Sequence, residues 1–266
     1  IIKKKISHTF IEVCSGCGGL SSGFMNKGFK PLFLNEINKT FCETLEVNHP
    51  NTKIINKSME DLELESYINN VDILMGGVPC QSFSQAGKRK GLQDKRGNLI
   101  LSFIKMINTL NPKVFLIENV KGLKTHDKGK TFRVIKETLE ELGYYVKSEI
   151  LNTKSHGNIP QNRERILIVG FLDKTVADKF SFPEEVKLDR KIKDFLETDV
   201  SDKYYYHGKP LYDKLKKDVK KKNTAYQWRR RYVRENKSGV VPTLTANMGT
   251  GGHNVPIILD DKGIRK

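Results

Sequence analysis

The chain has 266 residues, 37% of them hydrophobic, enough for one good-sized domain and a smaller one. Lys and Arg number 47 against 31 Asp and Glu, a formal charge of +16, which suits either a polyanionic partner such as nucleic acid or a solvated lysine-rich surface. No apolar run reaches the length of a membrane span and no signal peptide opens the chain, so no membrane partner is expected. The four cysteines suit a reducing cytoplasm better than a disulfide framework. Residue 1 is Ile, so the natural start is expected to lie upstream or to have been processed.

Thr9-Phe10-Ile11-Glu12-Val13-Cys14 reads as an apolar, β-branched strand, and Ser15-Gly16-Cys17-Gly18-Gly19-Leu20-Ser21-Ser22-Gly23-Phe24 as a turn out of it into a helix. Glycines let the backbone approach a ligand closely. A second strand over 31–34 ends at Asn35-Glu36. That places an acidic residue about 20 positions after the glycine loop, where it can grip the ribose hydroxyls of a nucleotide. Ser21 stands at the last glycine position of the nicotinamide pattern G-x-G-x-x-G, which is therefore not met. S-adenosylmethionine (SAM), with a ribose and no pyrophosphate, fits the loop at least as well. Cys14-x-x-Cys17 has the spacing of a redox or zinc pair, but no second pair follows and the six histidines are scattered, so no metal site is expected. Gly129-Lys130-Thr131 looks like the end of a phosphate loop, yet Lys124 stands where that pattern needs glycine.

Segments 39–48 and 61–67 read as surface helices and 53–55 as a third strand. The short apolar run 71–75 reads as a buried strand and leads into Gly76-Gly77-Val78-Pro79-Cys80-Gln81-Ser82-Phe83-Ser84-Gln85. In an open α/β sheet, ligands bind on the rim past the carboxyl ends of the strands. A lone cysteine reads as a small buried hydrophobe, but one held there by a rigid proline, with Gln81, Ser82, Phe83 and Ser84 behind it, is placed as a nucleophile would be. The basic stretch 86–97 that follows is long for a βα connection and is expected to grip phosphates or close on substrate. A helix is expected over 99–110 and a buried strand over 114–117, with Glu118-Asn119-Val120 at its end. A carboxylate on the same rim as Cys80 serves as proton donor or base anchor, with a helix cap or salt bridge as the plain alternative. A helix over 131–142 and a strand over 144–151 come next. Gln161-Asn162-Arg163-Glu164-Arg165 then enters a strand over 166–170, and its arginines suit the clamping of a polar substrate.

After Phe171 the chain becomes lysine-rich and weakly periodic, which places a domain boundary near 172. Tyr226-Gln227-Trp228-Arg229-Arg230-Arg231-Tyr232-Val233-Arg234 interleaves aromatics with arginines, a pattern for phosphate contacts and stacking. Pro242-Thr243-Leu244-Thr245 reads as a short strand entering a glycine-rich turn, 255–259 as a further strand and Lys262-Gly263 as a turn; no internal repeat is found.

In their order and spacing these motifs resemble the cytosine-C5 DNA methyltransferases from about residue 9 to the last residue. The resemblance implies a doubly wound α/β sheet of the SAM-dependent methyltransferase (Rossmann-like) class. Residues 1–172 would form the catalytic SAM-binding domain, and 173–266 a smaller, mostly irregular and β target-recognition domain. It implies SAM held by Cys14, Ser15, Gly16, Cys17, Gly18, Gly19, Leu20, Glu36, Ile37, Ser58, Met59, Gly77 and Pro79, and released as S-adenosylhomocysteine. Cys80 would be the nucleophile, Glu118 the group on cytosine N3, and Arg163 and Arg165 the supporting charges. Double-stranded DNA would be held by Gln81, Ser82, Ser84, Lys88, Arg89, Arg96, Arg229, Arg230, Arg231, Arg234, Thr243 and Leu244. The family usually has phenylalanine where Cys14 stands, often an aromatic where Ile37 stands and commonly an aspartate where Ser58 stands, so the contacts to adenine are expected to differ here. The family also continues past the equivalent of Lys266 with a Thr-Pro-Arg-Glu-like segment and a Gly-Asn motif, and a complementing C-terminal polypeptide is therefore expected. A cognate restriction endonuclease would belong to the same system. The family's tRNA-methylating branch shares this core, and a non-catalytic DNA-binding subunit is the reading from another class.

Overall fold

The computed structural model describes residues 8–79, 99–245, 248 and 255–266. The chain divides into two units. One comprises the residues up to Ile150 with Arg165–Phe182, the other Leu151–Glu164 with Pro183–Lys266.

The first unit is built on a sheet. Strand β1 (Thr9–Val13) pairs in parallel with β2 (Lys30–Asn35) on one side and with β4 (Ile73–Gly76) on the other. Beyond β2 lies β3 (Ile54–Ile55), beyond β4 lies β5 (Val114–Val120), and both pairings are parallel. Strand β8 (Glu164–Phe171) runs antiparallel to β5, and β6 (Tyr145–Asn152) follows it, giving the order β3-β2-β1-β4-β5-β8-β6. The chain leaves β1 in one direction and returns to its other side at β4. A crevice therefore opens outside the carboxyl ends of β1 and β4, the place where such sheets bind ligands.

Side chains alternate across the strands, as a pleated backbone requires. Phe10, Ile73, Met75, Leu116 and Val169 face one side, packed with Leu20 and Phe24 of α1 (Gly19–Met25) and Leu45 of α2 (Lys39–Asn48). Ile11, Val13, Leu74, Phe115, Ile117, Ile166 and Ile168 face the other. That side is covered by α3 (Leu99–Leu110), through Ile100, Phe103, Ile104 and Ile107, and by α4 (Lys130–Glu141), through Ile135 and Leu139. α3 buries residues three and four apart and α4 residues four apart, so each keeps one apolar stripe inward. Close packing explains the glycine at 170 in β8, where a Cβ would stand 2.1 Å from the Phe115 ring.

Segment 61–67 departs from the helix expected of it. It forms two short 3-10 turns, Met59–Asp61 and Glu65–Tyr67, with Leu62 in an extended conformation between them. Leu62 and Leu64 both pack on the core, and residues two apart share a side only in extended chain. The expected strand over 114–117 runs on to Val120, so Glu118 lies inside β5.

The second unit holds less regular structure. Strands β9 (Ala225–Trp228) and β10 (Val233–Asn236) form an antiparallel hairpin, extended by β12 (Pro256–Leu259) and β13 (Ile264–Arg265) in the order β10-β9-β12-β13. Tyr226, Ile257 and Ile264 pack there with Leu215 of the helix Tyr212–Asp218. A separate two-stranded pair joins β7 (Gln161–Asn162) to β11 (Val241–Pro242). Among the described residues no helix is long and apolar enough to cross a membrane, and no group of three or more His, Cys, Asp or Glu is placed to hold a metal ion.

Candidate active site

The turn leaving β1 takes a left-handed path at Cys14 (φ 53°), Gly16 (φ 55°) and Gly18 (φ 84°). Two bonds from Ser15 fix its start: the amide donates to the Asn35 carbonyl at 3.0 Å and the hydroxyl to the Glu12 carbonyl at 3.1 Å. Glu36 then bridges the loop to the beginning of α2. One carboxylate oxygen accepts the Gly16 amide at 2.8 Å and the other the Asn38 amide at 2.9 Å. Gly18 is packed so tightly that a Cβ would lie 2.4 Å from His49 Nε2, whereas among the described residues nothing stands within 4 Å of the Cβ positions of Gly16 and Gly19. The loop is thus anchored beneath and, among the described residues, open above.

Glu12 is 1% exposed, and its carboxylate accepts the Ser21 amide at 3.0 Å. Burial, opposed by the Ser21 hydrogen bonds and assisted by the Glu36 charge, raises its pKa to about 7. Burial also pushes the Cys14 thiol up to about 11, helped by the Glu36 and Glu12 charges, so that thiol stays protonated and unreactive. Cys17 and Ile37 are exposed, Ile37 at 69%. Leu20 packs on the sheet, Ser58 accepts the Glu60 amide at 3.4 Å, and the Met59 side chain is buried in the core.

Beside this loop, Gly76 lets β4 approach β1: a Cβ there would lie 2.9 Å from the Val13 carbonyl oxygen. The Cβ position of Gly77 lies 3.7 Å from Glu118 Oε2 and 3.9 Å from the Cys14 carbonyl oxygen. The other Glu118 oxygen, Oε1, pairs with Arg165 Nε at 2.9 Å, with both side chains about a fifth exposed. The pairing follows from the register, since antiparallel β8 brings Arg165 opposite Val120 at the carboxyl end of β5. Asn119, a residue the sequence reading left out of the site, donates from Nδ2 to the Val78 carbonyl at 2.7 Å in a buried position. It pins the chain just before the exposed Pro79, and its place beside Glu118 was the only sequence signal. Cys80, Gln81, Ser82, Ser84, Lys88, Arg89 and Arg96 lie outside the described residues.

Two motifs far apart in sequence meet within the second unit. Arg163 Nη1 donates to the Leu244 carbonyl at 3.4 Å, the Leu244 amide to Gln161 Oε1 at 3.5 Å, and the Thr243 hydroxyl to the Asn162 carbonyl at 2.7 Å. Arg229, Arg230 and Arg231 form the exposed turn between β9 and β10, with Arg230 left-handed at φ 65°. Arg234 is exposed on β10. Tyr226 is only 1% exposed and packs in the unit's core, so the aromatics of this stretch do not all offer stacking faces. Trp228 carries the Lys214 ammonium 5.7 Å above its ring.

Residues 8–263 match the model of a family described as C-5 cytosine-specific DNA methylase. The chain is 45% identical over 258 residues to the type II methyltransferase M.Bsp6I of Bacillus sp. (strain RFL6), covering 95% of this chain and 81% of that protein. With M.HpaII of Haemophilus parainfluenzae it shares 40% identity over 212 residues, 79% of this chain and 58% of the relative. Among solved structures, the S. pombe Dnmt2 methyltransferase superposes with a TM-score of 0.70 at 20% identity, covering 96% of this chain and 77% of that one. The Entamoeba histolytica methyltransferase EhMeth does so with a TM-score of 0.62 at 24% identity, covering 74% and 62%. These two likenesses are of fold.

Proposed function

Because this chain belongs to the C-5 cytosine-specific DNA methylase family, we propose that it moves a methyl group from SAM to C5 of a cytosine in double-stranded DNA, as the modification enzyme of a type II restriction–modification system. The observation that carries this reading is the convergence of the glycine loop, Gly77 and the Glu118–Arg165 pair at the carboxyl edge of one sheet. The residues present fit the cofactor. Gly16 and Gly19 leave open ground above the loop. The Glu36 carboxylate, whose oxygens each accept one backbone amide, keeps lone pairs for ribose hydroxyls. Ile37 offers an exposed apolar surface for adenine. When bound, the cofactor supplies an electrophilic methyl group.

The remaining work falls to the chain. Cytosine C5 is a poor nucleophile and is stacked inside a duplex, so the base must be flipped out, at a cost of a few kcal/mol. The Cys80 thiolate adds to C6, forming an S–C6 bond and pushing electron density onto C5. Glu118 holds N3 and the amino group through this step, its orientation kept by Arg165. Once C5 carries the methyl group, its proton leaves to solvent and the S–C6 bond breaks, returning the thiolate. Arg163, with Gln161, Thr243 and Leu244, shapes the DNA-facing part of the second unit, and Arg229, Arg230 and Arg231 contact phosphates. The test is labelled methyl transfer to duplex DNA and to tRNA in parallel, followed by trapping on a 5-fluorocytosine duplex. Transfer to DNA with a covalent adduct at Cys80 is expected. Transfer to tRNA alone, or SAM-independent DNA binding with no adduct, overturns the assignment.

A further inference from the structure

Where strands β2 and β3 end, a side chain takes over from the ladder. Their pairing runs from Leu34 opposite Ile54 to Asn35 opposite Ile55, and the Glu36 amide still donates to the Ile55 carbonyl at 3.2 Å. Asn56 supplies the next link. Its Nδ2 donates to the Glu36 carbonyl at 2.9 Å and to the Ile37 carbonyl at 2.8 Å. Both hydrogens of that nitrogen are spent on carbonyl oxygens. The reversed amide would set oxygen against oxygen, so the two bonds decide which end of the side chain faces away. That end is Oδ1, an acceptor on an exposed residue, and no donor meets it among the described residues. Two positions on, Ser58 turns its hydroxyl oxygen to the Glu60 amide at 3.4 Å.

We propose that Asn56 is a specificity-determining residue for the cofactor, with its Oδ1 accepting a hydrogen bond from the 6-amino group of adenine. The inference deepens the reading of the chain as a SAM-dependent methyltransferase and rests on it. Adenine carries one exocyclic donor, its amino group, while its ring nitrogens accept. An acceptor that cannot also donate is therefore what identifies the base by that edge. Asn56 Oδ1 meets this requirement, whereas the Ser58 hydroxyl can donate as well as accept and so discriminates less. Position supports the same choice. The Asn56 amide is tied to the backbone of Glu36, the candidate ribose grip, and of Ile37, the apolar surface offered to adenine at 69% exposure. Carboxylate, apolar face and free acceptor are thus held as one piece before the nucleoside arrives, which lowers the ordering cost of binding.

The experiment is calorimetric titration of S-adenosylhomocysteine, and of its analogue with hydrogen in place of the 6-amino group, into the wild-type chain and into Asn56→Ala. Together the affinities form a double-mutant cycle. The general loosening that follows loss of the two backbone bonds cancels in it, and the contact between Asn56 and the amino group remains. The wild-type chain is expected to bind S-adenosylhomocysteine about 3- to 10-fold more tightly than the analogue, the worth of one neutral hydrogen bond. Asn56→Ala should bind the two within about 1.5-fold of each other, whatever its affinity for both. A wild-type chain that does not distinguish the two ligands overturns the proposal, and that comparison needs no variant to fold. An Asn56→Ala chain that binds both more weakly and keeps the wild-type ratio also overturns it, because Asn56 is then only a tie between the strand ends. Wild-type chain that binds neither ligand overturns the parent reading instead.

Discussion

In the first unit the candidate side chains are placed by a backbone ladder. Glu36 and Gly77 stand just past the ends of β2 and β4, Glu12 and Glu118 lie within β1 and β5 near their carboxyl ends, and Arg165 meets Glu118 because β8 is in register with β5. In the second unit, short polar side chains do that work. Asn158 donates to the Asp189 carboxylate at 2.6 Å and accepts the Asp189 and Arg190 amides, holding an irregular stretch. Asp260 accepts from the Tyr205 hydroxyl at 2.8 Å, from Arg265 Nε at 2.5 Å and from the amides of Lys262 and Gly263. Irregular backbone must satisfy its polar groups one by one. Regular pairing satisfies most of the backbone of the first unit's sheet, whereas in the second unit single asparagine and aspartate side chains each satisfy several groups.

The chemical step gives the strongest test. Cys80→Ala should reduce methyl transfer by about three orders of magnitude or more while leaving DNA binding in place; retained turnover in a labelled-methyl assay would refute the division of labour. Next in size is a pair of arginine variants. Arg165→Ala, which removes the guanidinium paired with Glu118, should lower kcat by about 10²-fold or more. Arg163→Ala should act through KM for DNA. Equal effects of both on kcat would show that the two arginines do the same work.

Stability effects are smaller. Asp260→Asn should cost about 2 kcal/mol, since it strips the charge from a partly buried pair with Arg265. Denaturant unfolding should assign that loss to the second unit; an unchanged midpoint would argue that the network is incidental. Burial works to raise the Asp260 pKa, but the bonds from Tyr205, Arg265 and the two amides outweigh it and hold the carboxyl below its usual range. Its contribution is therefore present at neutral pH and lost as pH falls through that depressed pKa.

Glu12 has the opposite sign. With a folded pKa near 7 against 4.5 in the unfolded chain, it binds more proton in the fold between those values. Stability of the first unit should fall as pH rises from about 4.5 to about 7, by at most about 3 kcal/mol. Glu12→Gln should flatten this dependence in thermal melts taken across that range; a curve that keeps its full slope assigns it to another group.

Much of the first unit was legible because its strands are short apolar runs bounded by glycines. The helices over 39–48 and 99–110 showed their true extent in their spacing alone. The stretch 61–67 does not form the expected helix because its leucines are two apart, a spacing that serves extended chain. In the second unit the aromatic and arginine alternation suggested a row of stacking faces, yet the burial of Tyr226 depends on which side of β9 meets the helix Tyr212–Asp218. Nothing in the local pattern carries that choice.

Local backbone preferences write the available chemistry into the chain: a glycine loop, an acidic residue after the second strand, a Pro-Cys pair, a Glu-Asn pair and a stretch of arginines. Which of these meet is a matter of long-range packing. The Glu118–Arg165 pair, the Asn119 bond to Val78 and the joining of Gln161–Arg163 to Thr243–Leu244 all span long separations. Such contacts come from strand register and from the need to satisfy buried polar groups, and both are settled only when distant segments pack.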